Sequence, residues 1–291
     1  PMKPAFDALR ALGAPVEGDA LPVTIAGGRV SGGTVAVSGD VSSQFLSGLL
    51  LAGPLMRDGL TVELTTELVS APYVRLTTSV MAAFGVEVDG LSVRPQRYRA
   101  TAYTVEPDAT AASYFAAAAA ICGGRVRILG LDRTSAQGDV AFVDVLTAMG
   151  ADVEYGDGWI EVRGTGELRG VTLNLEAISD TAPTLAVVAA CASTPTRVGG
   201  IGFIRAKESN RIAAIVTELR RCGVDADEEP DGFVVRPNGE PHGATVETYD
   251  DHRMAMSFAV LGLRVPGIEL SDPGCVAKTF PTFFEVLDSL R

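Results

Sequence analysis

Several basic side chains stand where helix physics disfavours them. In "DDHRMAMSFAVLGL" an aspartate, Asp250 or Asp251, caps a predicted helix and puts His252 and Arg253 in its first turn. A helix N-terminus carries partial positive charge, so an arginine there is unfavourable unless an anion is shared with it. In "AKTFPTFFEVLDSL" Pro281 fits an early helical position, and Lys278 and Thr279 stand just outside the start. In "FIRAKESNRIAAIVTELRRCG" Lys207 and Arg211 are spaced i, i+4 on one predicted helical face, where like charges repel unless something negative sits between them. A solvated charged face explains any one of these segments. All three together, at equivalent places in repeated units, point to a bound anion.

Other groups near these cations could move protons or hold phosphate. Glu208 pairs with Arg211 at i, i+3: either an exposed ion pair worth a few tenths of a kcal/mol, or a carboxyl that exchanges a proton beside a bound anion. Asp180 in "SDTAPT" reads either as a helix N-cap or as a base. Ser42, Ser43 and Gln44 in "VSSQF" fall at a helix start, where hydroxyls, amide and free backbone N–H groups can hold phosphate or cap the helix. "LVSAPYVRL" puts Ser70 before Pro72 and Tyr73 in the first turn of another helix.

What must position these groups is a repeat. "ALRALGAPVEG" ending at Gly18 recurs as "VMAAFGVEVDG", "VLTAMGADVEYGDG" and "ELRRCGVDADEEPDG", with pivotal glycines Gly13, Gly85, Gly150 and Gly223. Each glycine follows an amphipathic pattern and suits the position just past a helix end, where φ is positive. Asp89-Gly90, Asp157-Gly158 and Asp231-Gly232 then predict tight hairpins. In the same phase, strands at Thr34–Val37, Tyr103–Val105, Val171–Leu175 and Thr245–Thr248 run into polar clusters and then into helices apolar on all sides. The unit is strand, buried helix, strand, helix, hairpin, and four units begin near residues 33, 101, 169 and 243. A domain boundary is expected near 97–101, giving a partial repeat domain at 1–100 and three repeats at 101–291. The chain opens on half a unit and closes without a hairpin, so a further N-terminal segment is expected to supply a strand and at least one unit. The exposed edge this leaves predicts lower solubility for the chain alone.

Composition narrows the field. The 291 residues are 47% hydrophobic and 21% charged, a globular balance. Four cysteines far apart and two histidines give neither a disulfide framework nor a metal site. A formal net charge of −12 argues against nucleic acid as a partner while leaving room for a local basic cluster. No apolar run approaches a bilayer span and no signal segment opens the chain, so a soluble cytoplasmic protein is expected, with no membrane partner.

In order and spacing, "SGDVSSQFLSGLL", "LVSAPYV", "DATAASYF", "SDTAPTLA", "RAKESNR", "YDDHRMAM" and "AKTFPTFF" resemble the 3-phosphoshikimate 1-carboxyvinyltransferases (EPSP synthases) along the whole chain. The related UDP-N-acetylglucosamine enolpyruvyl transferases share the repeats but differ at "DHRMAM" and "KTFPTFF". The resemblance implies an α/β fold: a two-domain inside-out α/β barrel (α/β prism) of βαβαββ units, the first domain incomplete here, with buried helices aiming their N-termini at an interdomain cleft. It implies transfer of the enolpyruvyl group of phosphoenolpyruvate to the 5-hydroxyl of shikimate 3-phosphate, in the shikimate pathway to aromatic amino acids, with no metal or organic cofactor and a monomer when complete. By match, Ser42, Ser43, Gln44, Ser70, Tyr73 and Lys207 would contact shikimate 3-phosphate. Asp180 would take the proton of the 5-hydroxyl, and Glu208 would protonate the methylene of phosphoenolpyruvate. Gln44, Arg211, Arg253 and Lys278 would meet the phosphoenolpyruvate anion, and His252 would shape that site. Glyphosate is the inhibitor expected of the family, and "SSQF" is similar to its glyphosate-sensitive class.

The match also has departures. The family's N-terminal lysine-serine motif, its asparagine-glycine loop and an arginine expected just before Pro1 are absent. Phe203 stands where some members have asparagine, and Asn210 replaces a common aspartate, which is expected to loosen the ion pairing near Arg211. Against the enzyme stands a reading in which this chain alone is an inactive anion-binding module that needs its N-terminal segment in trans.

Overall fold

The computed structural model describes residues 2–28 and 30–290, so the expected chain ends at Pro1 and Arg291 lie outside the described residues. The chain divides into two compact units, residues 1–105 and 106–291.

In the first unit, helix α1 (Lys3–Ala11) leads into an antiparallel hairpin of β1 (Val16–Glu17) and β2 (Thr24–Ile25). Next come β3 (Gly33–Val37), α2 (Ser43–Ala52), β4 (Leu60–Leu64), α3 (Ala71–Ala83) and β5 (Ser92–Val93). Strand β4 pairs parallel with β3, from Gly33↔Leu60 to Val37↔Leu64, and antiparallel with β5. Alternation along β3 turns Val35 and Val37 inward, where they join Leu46, Leu50, Val62 and Met81 in the core.

The second unit is built around three buried helices. Its elements are α4 (Ala109–Cys122), β6 (Arg125–Leu129), α5 (Phe142–Met149), β7 (Asp152–Gly156), β8 (Trp159–Arg163), β9 (Thr172–Asn174), α6 (Ala182–Ala189), β10 (Thr196–Gly199), α7 (Arg211–Arg221), β11 (Asp225–Glu229), β12 (Gly232–Arg236), β13 (Thr245–Val246), α8 (His252–Gly262), β14 (Glu269–Leu270) and α9 (Phe283–Ser289). Helices α4, α6 and α8 pack on one another. Every residue of α6 is buried, as are all but three of α4. The alanine run at 116–120 keeps the α4 surface small, which lets neighbouring helices approach closely. Ser113 Oγ and Thr184 Oγ1 satisfy each other at 3.3 Å across the α4–α6 contact. Three sheets complete the unit: β6-β8-β7, β11-β12-β10-β9 and β13-β14. Strand β9 runs parallel to β10, and β13 parallel to β14.

The four pivotal glycines all carry positive φ at helix ends: Gly13 +90°, Gly85 +79°, Gly150 +110° and Gly223 +77°. Three local expectations change. Residues 103–105 form no strand, because they make no backbone ladder and Val105 is exposed. The β11–β12 turn is Pro230–Asp231, with Gly232 already in β12. Helix α9 starts at Phe283, so Pro281 precedes it, and Lys278 ends a 3-10 turn at Pro273–Lys278. Proline fits that bend equally well, because the segment before α9 needs no N–H from it.

Candidate active site

Topology explains why residues far apart in the chain meet. Helices α6 and α8 each follow a strand that runs parallel to the next, so their N-termini collect at the carboxyl ends of the strands, where α/β proteins place their ligands. In the second unit that edge gathers Asp180 before α6, Glu208 and Arg211 at α7, Asp251 to Arg253 at α8, and Lys278 beyond β14.

Arg211 is the hub. Its side chain is 1% exposed, and its guanidinium donates in three directions: Nε to Asp251 Oδ2 at 2.8 Å, Nη1 to Asp180 Oδ1 at 2.9 Å, and Nη2 to Glu208 Oε2 at 2.5 Å. A buried cation persists only when paired and hydrogen-bonded, and the planar fork of arginine suits three carboxylates at once. Burial opposes its charge, but Asp251 and Asp180 outweigh that and raise its pKa further. Lys207 does not share a helical face with it, because α7 begins at Arg211 and Lys207 lies in the preceding loop.

Asp180 is not an N-cap. Thr181 occupies the cap of α6, and the Asp180 carboxylate bridges Arg211 and Arg253, whose Nη2 donates to Oδ2 at 2.8 Å. Burial pushes the Asp180 pKa up, yet the Arg253 and Arg211 charges prevail and hold it below the ordinary value. Asp251 is fully buried and caps α8 by accepting from Arg253 N at 3.0 Å; its other oxygen also accepts from Ser209 Oγ at 2.9 Å. His252 is buried, with neither ring nitrogen hydrogen-bonded to a described residue. Burial, then the Arg253 charge, lowers its pKa, so the ring is neutral at pH 7 and contributes shape rather than charge.

Glu208 ties this cluster to Lys278, whose Nζ donates to Oε1 at 2.6 Å. Burial works to raise the Glu208 pKa, but the Lys278 hydrogen bond and the Arg211 charge bring it down to about 2. Lys207 has no ion pair with a described residue and stands 6.0 Å from the Phe203 ring centroid, the outer limit of a cation–π contact. Asp231 fixes the loop leading to it by accepting from Gly200 N at 2.7 Å and Gly202 N at 2.8 Å. Four cations, Lys207, Arg211, Arg253 and Lys278, thus meet three carboxylates, Asp180, Glu208 and Asp251. That arrangement has capacity for a further anion and holds two carboxylates whose protonation depends on it.

The first unit presents its own polar helix starts. Ser42 caps α2 by accepting from Gln44 N at 3.2 Å, while Ser43 is buried and Gln44 exposed. Ser70 holds the N-cap position of α3 in a left-handed conformation, φ +55°, and is buried; its side chain makes no cap hydrogen bond, and Tyr73 N donates to its carbonyl at 3.1 Å. Thr77 Oγ1 donates to Ser47 Oγ at 2.8 Å, joining α2 and α3.

Two participants were not singled out from sequence. Asp251 as counter-ion of Arg211 had only its cap position as a signal. Tyr114 lies fully buried on α4, and burial pushes its pKa up to about 12 against the opposing Arg253 charge beside it; an apolar run around it hid that contact. Asn210 caps α7, its Oδ1 accepting from Ala213 N at 3.3 Å.

Known proteins resemble the chain in both sequence and fold. The family model described as EPSP synthase (3-phosphoshikimate 1-carboxyvinyltransferase) matches residues 1–287. A 3-phosphoshikimate 1-carboxyvinyltransferase of Nostoc punctiforme is 45% identical over 91% of this chain and 63% of its own length. One from a Marinomonas species is 40% identical over 100% of this chain and 71% of its own. Among solved structures, an EPSP synthase from Acinetobacter baumannii aligns with TM-score 0.78 and 28% identity over 100% of this chain and 70% of that one. The enolpyruvyl transferase NikO from Streptomyces tendae shares the fold, with TM-score 0.80 at 21% identity. This chain therefore spans 63% of the length of the Nostoc relative. By family model and by relatives alike, the chain belongs to the EPSP synthase family.

Proposed function

We propose that the protein of which this chain is the matching portion transfers the enolpyruvyl group of phosphoenolpyruvate to the 5-hydroxyl of shikimate 3-phosphate, releasing phosphate. The observation that carries this reading is the pair of carboxylates, Asp180 and Glu208, set in one frame of cations through Arg211. Joining a hydroxyl to C2 of an enol phosphate needs a base at the hydroxyl and an acid at the methylene, with cations to take up charge. Asp180 takes the hydroxyl proton as the new C–O bond forms, and Glu208 gives its proton to the methylene, making it a methyl. The product keeps a methylene, so one methyl proton must leave as the C–O bond to phosphate breaks; Glu208, now a carboxylate, takes it, and the proton held by Asp180 leaves with the departing phosphate. Arg211, Arg253 and Lys278 neutralise phosphoenolpyruvate, and His252 shapes its site. Lys207 is assigned to shikimate 3-phosphate. In the first unit, Ser42, Ser43, Ser70 and Tyr73 are assigned to shikimate 3-phosphate and Gln44 to both substrates. The inside-out barrel architecture belongs to the same proposal, supported by the central packing of α4, α6 and α8.

Glu208 is ionised at neutral pH as it stands, held by Lys278 and Arg211. A bound phosphoenolpyruvate draws on both cations and adds negative charge nearby, and both effects raise the Glu208 pKa. Substrate binding thereby loads the acid.

The test is phosphate release from phosphoenolpyruvate and shikimate 3-phosphate, with and without the N-terminal segment of the Nostoc relative in trans. Turnover that needs both substrates supports the reading. A folded mixture that binds phosphoenolpyruvate but never turns over favours the inactive anion-binding module instead, and one that binds neither substrate overturns both.

A further inference from the structure

Helix α7 carries a second buried charge that the reaction does not use. Glu218 is fully buried, and its carboxylate accepts from Glu247 N at 3.1 Å and from Tyr249 Oη at 2.8 Å, with Arg221 Nε at 2.9 Å. Tyr249 and Asp250 have φ of +57° and +53°, consecutive non-glycine residues in the left-handed region. Such conformations persist only where the surroundings over-determine them. The next residue is Asp251, the cap of α8, followed by His252 and Arg253. Glu218 lies seven residues after Arg211, about two turns along the same face of α7. One helix therefore grips the segment 247–251 twice: Glu218 holds Glu247 and Tyr249, and Arg211 holds Asp251.

We propose that Glu218 is a positioning residue that clamps the left-handed Tyr249–Asp250 turn and so aims the first turn of α8, with His252 and Arg253, into the anion site. Without the clamp the turn can relax toward ordinary φ, and relaxation there rotates the cap and everything behind it. A buried carboxylate that served packing alone would be expendable, since well-packed apolar side chains replace buried ion pairs without loss. The consequence for phosphoenolpyruvate rests on the function proposed above; the clamp itself does not.

The experiment measures hydrogen exchange at the amides of Asp251, Arg253 and Ala255, whose bonds to Thr248 O and to Asp251 define the turn and cap. Exchange is compared in the full chain and in Glu218→Ala, Glu218→Gln and Glu218→Ala with Asp250→Gly, alongside phosphoenolpyruvate affinity by calorimetry. In Glu218→Ala these amides exchange about tenfold faster with α4 unchanged, and affinity falls about tenfold, as expected for a displaced phosphate-binding arginine. Glu218→Gln, which keeps an acceptor for Tyr249, recovers part of both. Asp250→Gly restores both, because glycine adopts positive φ without being held. Unchanged exchange, equal acceleration throughout the unit, or no rescue by Asp250→Gly overturns the proposal. Should Glu218→Ala not fold, Tyr249→Phe must accelerate the same amides, and its failure to do so overturns it equally. If the unsubstituted chain binds no phosphoenolpyruvate, the functional reading fails while the exchange data still decide the clamp.

Discussion

Arg211 Nη1 and Asp180 Oδ1 meet at 2.9 Å, joining the start of α7 to the residue just before α6 through an arginine almost wholly withdrawn from water. Arg211→Met keeps the volume and removes the charge, stranding Asp251 in the interior and loosening Asp180 and Glu208. Breaking a buried pair on one side costs about 3–5 kcal/mol, so the urea midpoint should fall accordingly. A midpoint within experimental error of the unsubstituted chain would refute the hub.

Asp180→Asn separates chemistry from binding. The amide keeps the shape but cannot take a proton, and phosphate release should drop about 10²- to 10⁴-fold, the usual worth of a positioned base. Phosphoenolpyruvate affinity should hold or rise, because Arg253 and Arg211 lose a competing carboxylate. Full turnover in this variant would remove Asp180 from the proposed mechanism.

Glu208 gives a pH dependence with a definite sign. Its pKa in the folded chain, about 2, lies below the ordinary 4.5, so its pairing stabilises the fold above that range. The contribution is lost as pH falls from 4.5 toward about 2. Glu208→Gln should therefore be less stable than the unsubstituted chain at pH 7, with the gap closing across that acidic window. Thermal melts at stepped pH read it directly, and a constant gap at every pH contradicts the assignment.

Gly232→Ala addresses the sheet beneath the site. A Cβ at this position would lie 1.8 Å from Val198 O, inside the β10–β12 pairing. Backbone must move to admit it, at a cost of about 1–3 kcal/mol or more. The melting temperature should fall, and an unchanged value would mean that β12 does not sit against β10 in this register.

Much of the local structure was legible because it depends on neighbours in sequence. The glycines that end helices, the Asp251 cap that places His252 and Arg253, and the buried character of α4, α6 and α8 follow from periodicity, capping and φ. The errors were of the same kind turned around. Lys207 carried a helical spacing into a loop, Pro281 suggested a helix start that comes two residues later, and Asp180 looked like a cap because nothing nearby in sequence shows its partners. What only the tertiary structure decided is which charge neutralises which. Sequence by itself determined that cations and carboxylates stand at the starts of repeated helices. That Asp180 bridges Arg211 and Arg253, that Asp251 is buried against Arg211, and that Glu218 holds a strained turn are facts of distance, and Coulomb and hydrogen-bond energies exist only once folding has brought residues 31, 40 and 73 positions apart into contact.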